Sequence, residues 1–331
     1  MSVRLFITID IEEDNWGDFR PTGHTVENVA RIPMLQEIFR RYGAIPTYLP
    51  NYPVLKNESS VGILHDILEK DGCEIGVNCH PWNTPPFGEE INTRNTMLYN
   101  LPYAILYNKI ETIHKAVMDV LGVVPTCFRA GRWGFGCEVA RCIHTLGYQI
   151  DTSVTPYVDW TGSSGPDFSE ASNFPYTFNP ADVLTGLPNG CLLEVPPTIG
   201  FLQKNLKLCS RIFRLFSRSP LSKIHLIGIL NRFRILNLRW LSPELSSSRD
   251  MIMLGKNLIK QGYRYLNMNF HSPSLLPGKT PFVRNEEEFR AFLRNVESFL
   301  QFAQKQGITF SPLREALEIV NGMNQIRIKA D

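Results

Sequence analysis

The residues able to do chemistry stand at the ends of apolar runs. The first such run is Leu5-Phe-Ile-Thr-Ile-Asp-Ile-Glu-Glu-Asp14. If 5–11 is a buried strand, its side chains alternate between faces, so Asp10 and Glu12 point the same way with Thr8 behind them. Two carboxylates side by side repel unless a cation or a proton joins them. A metal ion, a shared proton or a nearby arginine would each serve. The second run is Glu74-Ile-Gly-Val-Asn-Cys-His-Pro-Trp82. Period two places Asn78 and His80 on one face and Cys79 on the other. One imidazole with one or two carboxylates suits a divalent metal that keeps open positions for water. Arg129, Asp151 and His271 end further runs of the same kind. A lone acid after a strand is commonly just a loop residue, and a lone histidine commonly an ordinary hydrogen-bonded one. The recurrence of the pattern is what argues for a site.

These residues need a scaffold, and the chain supplies an alternating one. Strand-like segments fall at 5–11, 44–49, 73–80, 126–130, 148–154, 192–195, 265–270 and 308–310. Helical spacing falls at 28–42, 61–68, 97–121, 138–146, 249–261, 286–305 and 313–320. Residues 156–190 form a Pro-, Gly-, Ser- and Asn-rich loop too long to be only a connector. The alternation predicts a parallel sheet. Polar residues gathered at strand ends favour the closed form, a βα barrel with its chemistry at the C-terminal ends of the strands. Neither GxGxxG nor GxxxxGK[ST] occurs, which argues against a dinucleotide or P-loop site.

With 331 residues, 43% of them hydrophobic, the chain can build one large barrel, and we read 1–331 as one domain. A net charge of +2 gives no polyanion-binding signature, and no nucleic-acid motif is present. Seven cysteines without a paired CxxC read as reduced, mostly buried thiols, and the N-terminus shows no secretory signal pattern, so a cytoplasmic location is expected. The stretch 200–250 departs from the rest. Between Lys204 and Arg239 there are nine Lys/Arg and no acid, interleaved with Leu, Ile and Phe. The run 221–241 is long enough to cross a bilayer but carries Lys223, Arg232, Arg234 and Arg239, which argues against a span. Amphipathic helices on the inner face of an anionic membrane fit better, with a solvated basic cap as the alternative.

Five motifs in order complete the reading. They are Thr8-Ile-Asp10-Ile-Glu12, Glu74-Ile-Gly with His80-Pro-Trp, Phe128-Arg-Ala-Gly131, Leu146-Gly-Tyr-Gln-Ile-Asp-Thr-Ser153, and Phe270-His-Ser-Pro-Ser-Leu-Leu-Pro-Gly278. Together they resemble the polysaccharide deacetylase (NodB-homology) family over about residues 5–320, apart from 200–250. The resemblance implies a distorted (β/α) barrel with a basic helical insertion, and metal-dependent removal of N- or O-acyl groups from sugars. By position, Asp10 resembles the general base, Arg129 the arginine that steadies it, and His271 the general acid. Asp151 or Asp159 would orient His271. Glu12, Asn78 and His80 take the metal positions, for zinc or else nickel, cobalt or iron. The family usually has a histidine where this chain has Asn78, and an amide oxygen is a poor substitute toward zinc. Trp82, Trp133 and Trp160 follow these motifs and are candidates for a sugar-stacking platform. The expected substrate is an N-acylated amino sugar in a glycan or lipid-linked precursor. The alternatives are a catalytically silent glycan-binding barrel and a hydrolase of another C–N bond, a formamide or cyclic ureide.

Overall fold

The structure, a computed structural model, describes residues 2–14, 16–218 and 230–318, the side chains of Lys207, Ser217 and Arg218 apart. The chain opens with β1 (Arg4–Ile11), buried on both faces beyond its first residue. It continues through α1 (Ile32–Tyr42), β2 (Thr47–Pro50), the single turn α2 (Tyr52–Leu55), α3 (Glu58–Asp71), β3 (Glu74–Ile75) and β4 (Val77–Cys79). Next come α4 (Tyr103–Leu121), β5 (Cys127–Ala130), α5 (Cys137–Thr145), β6 (Ile150–Asp151), β7 (Tyr176–Phe178) and β8 (Leu192–Glu194). Then follow β9 (Ile199–Phe201), α6 (Leu206–Arg218), β10 (Leu238–Trp240), α7 (Ser248–Lys260), β11 (Tyr265–His271), α8 (Glu286–Lys305) and β12 (Thr309–Phe310).

One sheet runs β11-β1-β2-β3 and a second runs β4-β5-β6-β8-β7, parallel except for β7. The two meet at Gly76, between β3 and β4. A Cβ there would lie 2.5 Å from Leu49 and 2.6 Å from the Cys127 carbonyl, so only glycine lets β2 and β5 close in from both sides. On the far side, β8 and β11 are joined by the chain around Thr198. Thr198 N–H donates to the Asn267 carbonyl (3.0 Å), Leu241 N–H to the Thr198 carbonyl (2.8 Å), and the Asn267 amide to the Val195 carbonyl (3.2 Å). The result is a distorted (β/α) barrel whose seam is stitched by irregular chain rather than by a ladder.

Departures from the expected elements have local causes. The helix expected over 97–121 starts only at Tyr103, because Pro102 has no N–H to donate and serves as its N-cap. The 156–190 loop contributes β7, antiparallel to β8. The 200–250 insertion is part helix and part sheet: α6 packs Cys209 against Phe201 and Leu236, and β10 pairs antiparallel with β9. Residues 221–229 of the basic run 221–241, and residues 319–320 of the helix expected over 313–320, lie outside the described residues. No described helix is long and apolar enough to cross a membrane. All seven cysteines are unpaired thiols.

Register carries the polar residues to one end. Asp10 stands opposite His271 on β1 and β11, Asn78 opposite Arg129 on β4 and β5, and Asp151 opposite Glu194 on β6 and β8. The loop after β4 is held from below by Lys109 of α4, which is fully buried. Its ammonium donates to the carbonyls of Pro81 (2.9 Å), Thr84 (2.7 Å) and Pro86 (2.7 Å) and pairs with Glu89 at 2.6 Å. Three N–H groups thus meet three carbonyls, and the charge meets one acid. Lys109→Met should cost about 3 kcal/mol, the scale for breaking a buried ion pair from one side. Urea denaturation measures it, and a loss below about 1 kcal/mol would show that the loop is held by other contacts.

Candidate active site

Arg129 is the centre of the arrangement and is 1% exposed. Its Nη1 donates to Asp10 Oδ1 at 2.5 Å, its Nη2 to Thr8 Oγ1 (2.7 Å) and Thr152 Oγ1 (3.2 Å), and its Nε to the Thr152 carbonyl (3.0 Å). Thr8 passes its own proton to Asn267 Oδ1 at 3.0 Å. Burial raises the Asp10 pKa and Glu12 adds to the rise, while Arg129 and His271 oppose it.

His271 closes the other side, its Nε2 3.7 Å from Asp10 Oδ2. Its Nδ1 lies 2.9 Å from Glu244 Oε2, and its backbone N–H donates to Glu244 Oε1 at 3.2 Å. Ser274 Oγ also donates to that oxygen at 2.5 Å. Burial would lower the His271 pKa, but Glu244, Glu12 and Asp10 push it up to about 9. Glu244 therefore does what the sequence assigned to Asp151 or Asp159. Asp151 is turned elsewhere: it accepts from Ser153 N–H (2.9 Å) and Ser153 Oγ (2.8 Å) and stands opposite Glu194, whose carboxyl is raised by burial and by Asp151. Asp159 caps the turn at Thr161 N–H (2.9 Å).

The second acid cluster faces His80. His80 Nε2 is 3.1 Å from Glu12 Oε1, and its Nδ1 is 3.6 Å from Glu13 Oε2. Glu13 also accepts from the Trp82 indole N–H (3.0 Å) and from the Asn51 amide. Burial works against the charged imidazole, yet Glu12 and Glu13 outweigh it and push His80 up to about 10. Burial would raise Glu13, but His80 pulls it down to about 2. Gly131 is required beneath this ring, since a Cβ there would run into the imidazole and the Cys79 carbonyl.

Asn78 joins Glu12 and His80, but through its nitrogen: Nδ2 donates to Glu12 Oε1 at 2.8 Å. A donor N–H is no metal ligand. The amide oxygen is buried without a partner, and turning the amide over would present it to Glu12's side. The donors that do converge are Asp10, Glu12 and His271, whose ligand atoms lie within 4.8 Å of one another. Carboxylate and imidazole together suit a divalent cation, so the residues present fit one. Glu12 belongs to both the expected and the observed set.

These groups form the floor of a cavity of about 460 Å³. Its walls carry all five tryptophans of the chain: Trp82, Trp133 and Trp160, which the sequence singled out, and Trp16 and Trp240, which it did not. Trp16 meets the His271 ring edge to face at 4.7 Å, and Trp133 lies 5.7 Å from Trp240.

No family model and no curated protein matches the chain. Solved structures do. A protein described as a polysaccharide deacetylase from Mycobacterium smegmatis aligns over 98% of this chain and 92% of its own, at TM-score 0.53 and 13% identity. The chain has the polysaccharide deacetylase fold. A glycoside hydrolase/deacetylase-type protein from Parabacteroides distasonis aligns over 93% of this chain and 68% of its own, at TM-score 0.56 and 8% identity. The Puue allantoinase aligns over 94% and 88%, at TM-score 0.50 and 12% identity. At these identities the deacetylase fold is what is shared.

The Asp151–Glu194 pair, though inside this deacetylase-type barrel, acts on stability. Burial raises both carboxyls, Asp151 to about 6 and Glu194 well beyond its usual range. A carboxyl raised by folding costs nothing below its unfolded pKa and destabilises as pH climbs through the folded value. Glu194→Gln should therefore raise the melting temperature at pH 8 and change it little at pH 5. Calorimetry at the two values decides it; an equal shift at both would mean that no proton is held by the pair.

Proposed function

We propose that the protein is a deacetylase-type hydrolase that removes an N-acyl group, most simply acetyl, from an amino sugar of a glycan. The observation that carries this is the facing pair Asp10 and His271, each braced by a buried partner of opposite charge, on the floor of a cavity walled by tryptophans. A braced carboxylate and a braced imidazolium are a base and an acid already aligned. Aromatic walls suit the apolar faces of sugar rings. Asn269 Oδ1, buried in the same cavity without a partner, offers an acceptor to an amide N–H.

In this reading Asp10 takes a proton from the attacking water. Arg129 keeps Asp10 ionised against its burial. His271 holds its proton on Nε2, facing Asp10, and delivers it to the departing amine. Glu244 fixes the ring through Nδ1, so that Nε2 stays aimed at the cavity. A divalent cation would be held by Glu12, with His80 as a further donor once it gives up its proton, while His271 keeps its own proton as the acid. Bound there, it supplies an acidified water and a Lewis-acid contact for the acyl carbonyl.

A second reading is a barrel that binds glycan without turning it over. The orientation of Asn78, amide nitrogen toward Glu12, favours it. The two separate on one experiment with N-acetylglucosamine oligomers. Asp10→Asn should lower deacetylation by about 10³-fold, the scale of a lost general base, with binding retained. Glu244→Gln should lower kcat by about 10²-fold with KM little changed, because the lost contact orients the acid rather than the sugar. A wild-type protein that binds the oligomers without releasing acetate would establish the binding reading.

The partner surface follows from the insertion. α6 turns Cys209 inward and Leu208 and Leu215 outward, where they are 50% and 65% exposed; Phe233 and Ile235 are 70% and 60% exposed. They stand among Arg211, Arg232 and Arg234 on a stretch without acids. Exposed apolar side chains within a basic field fit an anionic membrane surface, where a lipid-linked glycan would be found. Arg239 is held back from that face by Asp250 at 2.8 Å, whereas Arg234 reaches the same acid at 3.4 Å and stays half exposed. Replacing Leu215, Phe233 and Ile235 with Ser should lower binding to vesicles containing phosphatidylserine by about tenfold, through lost apolar burial. Sedimentation with such vesicles tests it, and no change would leave the insertion a solvated basic cap.

A further inference from the structure

The acids of the catalytic cavity are each answered by a cation: Asp10 by Arg129, Glu12 and Glu13 by His80, and Glu244 by His271. One cation of the same lining is left over. Arg132 faces this cavity and pairs with no carboxylate among the described residues. It is half-buried, and burial lowers its pKa with no neighbouring acid to restore it. A guanidinium keeps its charge even so, and a charge taken partly out of water without a counter-ion is costly.

The side chain is held in place. Arg132 and Trp133 have φ of 55° and 59°, a left-handed region uncommon for residues other than glycine. Such strain, of order 1 kcal/mol per residue, persists only where the surroundings enforce it. The turn that results sets both residues on the cavity wall, directly after β5 and Arg129. Arg132 Nη1 donates to the Thr93 carbonyl (3.2 Å) and to Thr96 Oγ1. The guanidinium lies over the Phe19 ring, 4.9 Å from its centre. These contacts occupy one nitrogen and one face. Nε and Nη2, on the other edge, donate to nothing among the described residues and are not sealed away. A tether to residues 93–96 needs only Nη1. The free edge presents two N–H groups side by side, which match two oxygens of one carboxylate or phosphate. A neutral hydroxyl would leave the charge unanswered.

We propose that Arg132 binds an anionic group, a carboxylate or a phosphate, on the substrate held in the catalytic cavity. The proposal rests on the deacetylase reading and narrows it: the preferred substrate is an acidic derivative of an N-acylated amino sugar, and the neutral sugar is a poorer one.

The test uses the full chain and compares N-acetylglucosamine with two acidic counterparts, its uronic acid and its anomeric phosphate. kcat/KM and calorimetric Kd are measured for each. In the unmodified protein an acidic sugar should exceed the neutral one by at least about tenfold in both, the scale of one charge-assisted bidentate contact. Preference for the uronic acid identifies an acidic sugar, and preference for the phosphate a phosphorylated or phosphate-linked one. Arg132→Gln keeps a donor for Thr93 but no charge, and should bring the ratio close to one. Arg132→Lys, with the charge but without the fork, should restore part of it. Raising salt from about 0.1 M to about 1 M should shrink the ratio in the unmodified protein, a readout that serves if the variants do not fold. Equal values for neutral and acidic sugars, or a preference that Arg132→Gln retains, overturn the role of Arg132 and leave the deacetylase reading standing. If the sugars are bound and none is deacetylated, the deacetylase reading fails and the ratio of Kd values decides Arg132 by itself. Sugars neither bound nor deacetylated overturn both.

Discussion

The structure depends on one buried cation. A guanidinium cannot shed its proton to suit an apolar interior, so Arg129 must be surrounded by acceptors. Asp10 supplies the charge, and Thr8 and Thr152 supply the remaining oxygens. These partners come from β1 and from the chain just after β6, while Asn267 of β11 ties the two threonines together through Thr8 Oγ1 and Thr152 Oγ1. One side chain thereby fixes the spacing of several strands and the position of Asp10 at once. The fold and the placement of Asp10 share a single constraint, and neither can shift without leaving a charge unpaired in the core.

The acids around that cation follow from the same arithmetic. Asp10, Glu12, Glu13 and Glu244 crowd into a small volume, and carboxylates so placed repel unless cations stand between them. Arg129 answers Asp10, His80 stands between Glu12 and Glu13, and His271 stands between Glu244 and Asp10. Asn78 adds no charge to this balance, but its N–H serves Glu12 as a neutral donor. The protein therefore compensates its carboxylates with its own cations. An incoming divalent ion would meet His80 and His271 charged and would have to displace their protons, which makes occupancy a competition governed by pH.

Much of this was legible in the sequence. Period two alone put Asp10 with Glu12 and Asn78 with His80, and the recurrence of polar residues after apolar runs marked the end of the barrel where those residues gather. What could not be read was register. Asp151 ends a strand just as Asp10 does, but β6 places it opposite Glu194, while Asp10 falls opposite His271. No local pattern separates those outcomes. Glu244 was missed for a different reason: it lies in the 200–250 stretch, whose basic character directed attention to surfaces. The signal available was that it is the first carboxylate after Glu194, directly following a proline in Leu-Ser-Pro-Glu. The short strands β7, β9 and β10 have too few residues to show a period, and tertiary contacts alone define them.

The insertion is therefore no appendage to a finished site. β10 carries Trp240 into the cavity wall, and the chain just beyond it delivers Glu244 to His271. The same segment, a few residues earlier, turns Phe233 and Ile235 outward. Anchoring runs back into the fold through Arg239 and Arg234, which both reach Asp250 of α7. Glu244 is bound to both the side chain and the backbone of His271, so this segment and the end of β11 are tied at two points. The outward residues and Glu244 thus belong to one segment, whose contacts run from Asp250 of α7 to His271.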